Sequence, residues 1–221
     1  YPNNPTGAVM TRDELMEIAK VLEGTNIVVI SDEIYAELSY GLKHTSFASL
    51  PGMWERTISC SSLSKTYSIT GWRLGYAIAP QHLMDRIKQF HDFNTVGAPS
   101  VLMEAAIAGL DMPDSYYAEF GAHYTHMKEL FTKGLDQIGI PYTDPQGAYF
   151  VLANIGQFLK KGQTDVEFCE EMARKVGVAC VPGTSFFMED VNDIVRVHFA
   201  KKDETLLEAL NRLSDIKAKM A

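Results

Sequence analysis

The sequence predicts an α/β protein: a mainly parallel sheet with helical connections, followed by a smaller α+β unit. Three observations carry this. Short apolar runs rich in β-branched residues end in polar ones, as Asn26 to Ser31 does before Asp32. Helical periodicity recurs in the same region, as a parallel sheet with crossovers requires. After a long helical stretch from Asp114 to Ile138, stopped by Gly139 and Pro141, the pattern changes to short strands interleaved with helices. The boundary is placed inside that helix, dividing residues 1–118 from 119–221.

The elements follow in order. The opening Tyr1-Pro2-Asn3-Asn4-Pro5-Thr6-Gly7 is a loop, since Pro and Asn favour turns. It lacks an initiator Met, and the chain is expected to be a piece of a longer protein. Thr11 with Glu14 three residues on reads as a capping box; Leu15, Ile18, Ala19 and Leu22 continue at helical spacing, and Gly24 ends the helix. Asn26 to Ser31 is expected to be a strand buried on both faces. Thr57 to Ser61 and Leu74 to Ala79 are further strands. Helices are expected at Gln81 to Phe93, Pro99 to Leu110 and Asp114 to Ile138. Gly147 to Ala153 reads as a strand, Val166 to Lys175 as a helix, Val178 to Val181 and Ile194 to Phe199 as strands, and Lys202 to the end as an amphipathic helix.

Composition narrows the function. The formal charge of −8 and the absence of a basic run argue against nucleic acid, whose phosphates are bound by clustered Lys and Arg. No apolar stretch approaches the roughly 20 residues that span a bilayer, so no membrane partner is expected. Cys60, Cys169 and Cys180 are odd in number, widely spaced and without a CxxC pair. They suggest neither a disulfide framework nor a zinc site, but reduced thiols of a cytoplasmic protein. His123 and His126 stand three apart on a helix, but no carboxylate pattern completes a metal set.

Three segments carry chemistry. Asp32 follows a strand, where open α/β sheets bind ligands; a helix cap is the alternative reading. In Ser61-Ser62-Leu63-Ser64-Lys65, serines flank a lysine, and Arg73 follows eight residues later. Hydroxyls and a guanidinium suit a phosphate, and a lysine at such a rim can become nucleophilic; an exposed polar loop is the alternative. Arg196 interrupts an alternating strand, as a snorkelling edge residue or as a bidentate clamp for a carboxylate. His198 is expected on the opposite face of that strand, in a structural role.

Together, Asn4-Pro5-Thr6-Gly7, Asp32 with Tyr35, Ser62-Leu63-Ser64-Lys65, Gly71-Trp72-Arg73-Leu74-Gly75 and Arg196 resemble the class I/II aminotransferases of pyridoxal 5'-phosphate (PLP) fold type I. The likeness covers essentially the whole chain, which looks like the C-terminal half to three-fifths of a family member. It implies the C-terminal half of the large PLP-binding domain followed by the small C-terminal domain. It implies that Lys65 holds PLP as a Schiff base and shuttles the substrate Cα proton. Asp32 would pair with the pyridine nitrogen. Asn4 and Tyr35 would bond the cofactor's 3'-oxygen; Ser62, Ser64 and Arg73 would hold its phosphate. Arg196, with Asn4 nearby, would bind the substrate carboxylate. The partners implied are an amino acid and a 2-oxo acid, with a homodimer when full length. Two alternatives share these residues: a carbon–sulfur β-lyase, and the aminotransferase-like effector domain of a transcription regulator. By itself the chain is expected to bind PLP weakly or not at all.

Overall fold

The computed structural model describes residues 1–189 and 191–220. The chain divides into two compact units. One comprises Tyr1–Pro2 and Ala8–Gly121; the other comprises Asn3–Gly7 and everything from Ala122 onward.

In the first unit, α1 (Arg12–Val21) begins with the capping box that Thr11 and Glu14 forecast: Thr11 Oγ1 accepts from Glu14 N, and Glu14 Oε2 accepts from Thr11 N at 2.7 Å. At its other end Arg56 donates to the carbonyl of Leu22, placing a cation where the helix dipole is negative. Leu15, Ala19 and Leu22 pack with Phe47, Leu50 and Met53, and Val29 closes this core from the sheet.

The sheet holds β1 (Val29–Asp32), β2 (Thr57–Ser62) and β3 (Gly75–Ile78). β1 runs parallel to β2, and β3 runs antiparallel to it, so the sheet is mixed. The burial expected for the first strand does not hold. Val29 faces the α1 core, but Ile30 is 72% exposed. β1 is also shorter than expected, starting at Val29 rather than Asn26. A continuous apolar run specifies two faces to be covered, and the described residues cover one. After β2 comes the single turn α2 (Leu63–Thr66). α3 (Gln81–Asn94) and α4 (Ser100–Leu110) follow β3, and Leu63, Leu74 and Ala106 form a second small core.

Helix α5 (Asp114–Ile138) has the bounds the sequence implies. It begins in the first unit and continues in the second. There a four-stranded antiparallel sheet has the order β4 (Tyr142–Thr143), β5 (Phe150–Asn154), β7 (Ile194–His198), β6 (Val181–Pro182). α6 (Asp165–Lys175), α7 (Asp203–Ser214) and α8 (Ile216–Met220) complete the unit. Its core includes Phe131, Leu135, Val151, Phe168, Val195 and Leu206.

Four expectations shift here. β5 begins at Phe150 rather than Gly147, because Ala148 takes a left-handed φ of 57° that ends extended geometry. The strand expected from Val178 is reduced to Val181–Pro182, where Pro182 has no N–H to extend a ladder. The last helix breaks at Asp215, and its final residue, Ala221, lies outside the described residues. His198 shares a face with Arg196 rather than opposing it, since strand side chains alternate with a period of two.

Candidate active site

In the first unit the parallel ends of β1 and β2 bring the candidate residues together. Asp32 is the Cα partner of Cys60, so the carboxylate on one strand end lies beside the chain entering Ser62-Leu63-Ser64-Lys65. One Asp32 oxygen accepts from Ile34 N at 3.1 Å, which turns the chain toward Tyr35 without starting a helix. Tyr35 is buried, and Lys65 Nζ stands 5.9 Å from the centre of its ring. α2 begins where Ser62 Oγ accepts from Ser64 N at 2.9 Å while donating to the carbonyl of Leu74. That cap starts the single turn that carries Lys65 directly after β2.

Arg73 closes this turn in the left-handed region, with φ 57° and ψ 39°, and donates to Thr70 O at 2.9 Å. A non-glycine residue there stores backbone strain; the geometry lets Leu74 O return to Ser62 while the guanidinium stays exposed. Thr70 Oγ1 donates to Ser64 O. Tyr116 donates to the carbonyl of Thr66 at 2.6 Å, and the hydroxyls of Tyr67 and Tyr117 are 2.7 Å apart. Burial and the contact with Tyr117 push the Tyr67 hydroxyl above the ordinary tyrosine range, so it stays protonated. The first turns of α5 thus clamp the residues directly after Lys65.

The set could hold a phosphorylated, aldehyde-bearing pyridine. Two serine hydroxyls and a guanidinium suit a phosphate dianion, a carboxylate suits a ring N–H, and an amine suits an aldehyde. Ser62 already uses both its donor and an acceptor position within the turn, so phosphate binding would require its hydroxyl to rotate away from Leu74 O.

Asn4 and Arg196 lie together in the second unit, with Arg196 Nη1 donating to Asn4 Oδ1 at 2.5 Å. The guanidinium is held between the rings of Phe150 and Phe186, 4.4 and 4.5 Å from their centres. Two aromatic faces fix its plane, which suits two parallel bonds to a carboxylate. Burial, then Lys201 and Arg196, lower the pKa of His198. His126 pairs with Asp203 at 2.7 Å. Among the described residues no cluster of three His, Cys, Asp or Glu could hold a metal ion.

Sequence reasoning missed Glu33. Its buried carboxylate accepts from Ser31, Ser46, Ser59 and the Phe47 amide, and meets His44 Nε2 at 3.0 Å. Burial pushes its pKa up, but the bonds from His44, Ser46 and Ser31 outweigh that, and the net shift is downward. No local signal marks it, since its partners Ser46, Phe47, His44 and Ser59 are 11 to 26 residues away. The aromatic clamp on Arg196 had no signal, since Phe150 and Phe186 are far apart in the chain.

A lysine in a short helix at one parallel strand end, with a carboxylate at the next, is the arrangement that the resemblance to PLP fold type I implies. The family model for aminotransferase class I and II matches residues 1–213, and the chain belongs to that family. A putative aminotransferase of Bacillus subtilis, YugH, is 38% identical over 212 residues, covering 96% of this chain and 54% of that protein. An aromatic-amino-acid aminotransferase of Thermococcus litoralis is 35% identical, covering 97% of this chain and 55% of its own length. Among solved structures, N-succinyldiaminopimelate aminotransferase from Mycobacterium tuberculosis aligns with a TM-score of 0.90 at 34% identity, over 97% of this chain and 56% of that one. The chain thus spans little more than half the length of the relatives it matches. No helix among the described residues is long and apolar enough to cross a membrane.

Proposed function

We propose that this chain carries the lysine-bearing part of a PLP-dependent aminotransferase that moves an amino group between an amino acid and a 2-oxo acid. The observation that carries the reading is the meeting of Asp32, Tyr35 and Lys65 at the ends of two parallel strands. Family membership and relatives named as aminotransferases support it.

Ser62, Ser64 and Arg73 would hold the cofactor's phosphate, and Asp32 would keep the proton on its ring nitrogen. Tyr35 and Asn4 would donate to its 3'-oxygen. When bound, PLP supplies an electron sink for the charge left at the substrate Cα. Lys65 Nζ would hold the cofactor and would carry the Cα proton, joining nucleophilic and acid–base work in one amine. Arg196 would orient the substrate through its carboxylate, the plane of its guanidinium already held in place between Phe150 and Phe186. The finer setting we propose is a cytoplasmic homodimer of the whole protein, with no nucleic-acid or membrane partner.

The test is covalent trapping. The whole protein is incubated with PLP, reduced with borohydride and mapped by peptide mass spectrometry. Label at Lys65 in preference to the other lysines is expected, and Lys65→Ala removes it. Equal labelling of surface lysines would remove the basis of the assignment. In the whole protein, amino transfer should require a 2-oxo acid acceptor; pyruvate and ammonia released without one would indicate a β-lyase instead.

A further inference from the structure

Cys169 and Cys180, widely separated by sequence standards, meet in the second unit with their sulfurs 3.2 Å apart. Cys169 is buried on α6, and Cys180 is partly exposed just before β6. A disulfide needs a sulfur separation of about 2.05 Å and Cβ vectors that face each other. The two sulfurs are already in contact, about an ångström beyond that bond length.

The surroundings hold that alignment. One helical turn before Cys169, Asp165 is 1% exposed and accepts from both the backbone N–H and the hydroxyl of Thr184, at 2.9 to 3.0 Å. Residues four apart share a helix face, so Asp165 and Cys169 face the same segment. That segment is pinned beyond Cys180 by Thr184 and, at Val181 and Pro182, by pairing with β7.

We propose that Cys169 and Cys180 are an oxidisable dithiol, a modification site where a hydroperoxide converts two thiols into an intrachain disulfide joining α6 to the segment entering β6. One sulfur attacks the peroxide oxygen, forming a sulfenic acid and releasing one water or alcohol. The second sulfur displaces the sulfenic oxygen, forming the S–S bond and releasing one water. Both sulfurs are oxidised, and the O–O bond is reduced by the two electrons they lose. The thiol of Cys180 donates to the sulfur of Cys169, which holds Cys169 below the ordinary thiol range and Cys180 above it. The link would sit one residue from Val181, the β6 partner of Arg196, and it does not depend on the proposed amino-transfer reaction.

The protein is treated with hydrogen peroxide, residual thiols are blocked, and tryptic peptides are mapped without reduction. The expected product is a species joining peptides 162–174 and 176–196, with intact mass lowered by two hydrogens. Free thiols fall from three to one, with Cys60 remaining, and dithiothreitol restores all three. The oxidised protein melts at a higher temperature by far-ultraviolet circular dichroism. Cys180→Ser abolishes the linked peptide; should that variant fail to fold, the wild-type map decides alone. Retention of all three thiols, a link through Cys60, covalent dimers, or Cys180 oxidised to the sulfinic acid without a link would each overturn the proposal.

Discussion

Glu33 shows how a single residue can hold a strand end in place. Its carboxylate gathers Ser31 and Ser59 from neighbouring strands and Ser46, Phe47 and His44 from the loop beyond. The neighbouring Asp32 and Tyr35 are thereby fixed relative to the sheet. Because its folded pKa lies below the unfolded value, its stabilising contribution is complete above the ordinary glutamate pKa of about 4.3. That contribution is lost as pH falls through the depressed folded value. Glu33→Gln should cost about 1.5–3 kcal/mol at neutral pH. It should also flatten the acid limb of stability, measured by urea unfolding at pH 7 and below 4. An unchanged acid limb in the variant would show that other carboxylates set it. Asp32 and Lys65 could be singled out as candidates in the sequence because their residue types stand out beside a strand. Glu33 was not, because nothing local distinguishes a buried carboxylate with five partners from a solvated one.

Among the elements, the capping boxes of α1 and α6 match the rule that a Thr with Glu three residues later starts a helix. Such ends were legible because the determining atoms lie within one turn. The strands were less so. β6 kept only Val181 of the expected run and gained Pro182, and β5 started late. Strand ends depend on partners elsewhere in the chain and on φ values that residue type does not reveal. The turn just after β6 also approaches the chain around β7 closely: a Cβ added at Gly183 would lie 2.5 Å from the carbonyl oxygen of Ile194 and 3.1 Å from that of Val191. Backbone atoms cannot turn aside as a side chain can. Gly183→Ala should therefore destabilise the second unit by about 1–3 kcal/mol, read as a lowered circular-dichroism midpoint. A midpoint within error of wild type would mean that β6 moves freely from β7.

On the scale of the whole molecule, two compact units carry separate cores, so one two-state transition is not expected. Both tryptophans, Trp54 and Trp72, lie in the first unit. Tryptophan fluorescence should report that unit alone, while circular dichroism reports both. Urea curves from the two probes should not coincide; superimposable curves would show that the cores unfold together. The first unit also leaves Ile30, Phe93 and Val101 exposed at 72, 93 and 79%, although the apolar run around Ile30 predicted burial.

The sequence by itself determined the α/β class, most helices and the family, and it singled out Lys65, Asp32, Arg73 and Arg196 as the candidates proposed for the site. These rest on local periodicity, caps and residue types whose chemistry is scarce. Only the tertiary structure decided which distant groups meet: Phe150 and Phe186 around Arg196, five donors around Glu33, and the sulfur of Cys180 against that of Cys169. Those contacts are set by strand pairing and by packing between segments far apart in the chain, which no local pattern encodes.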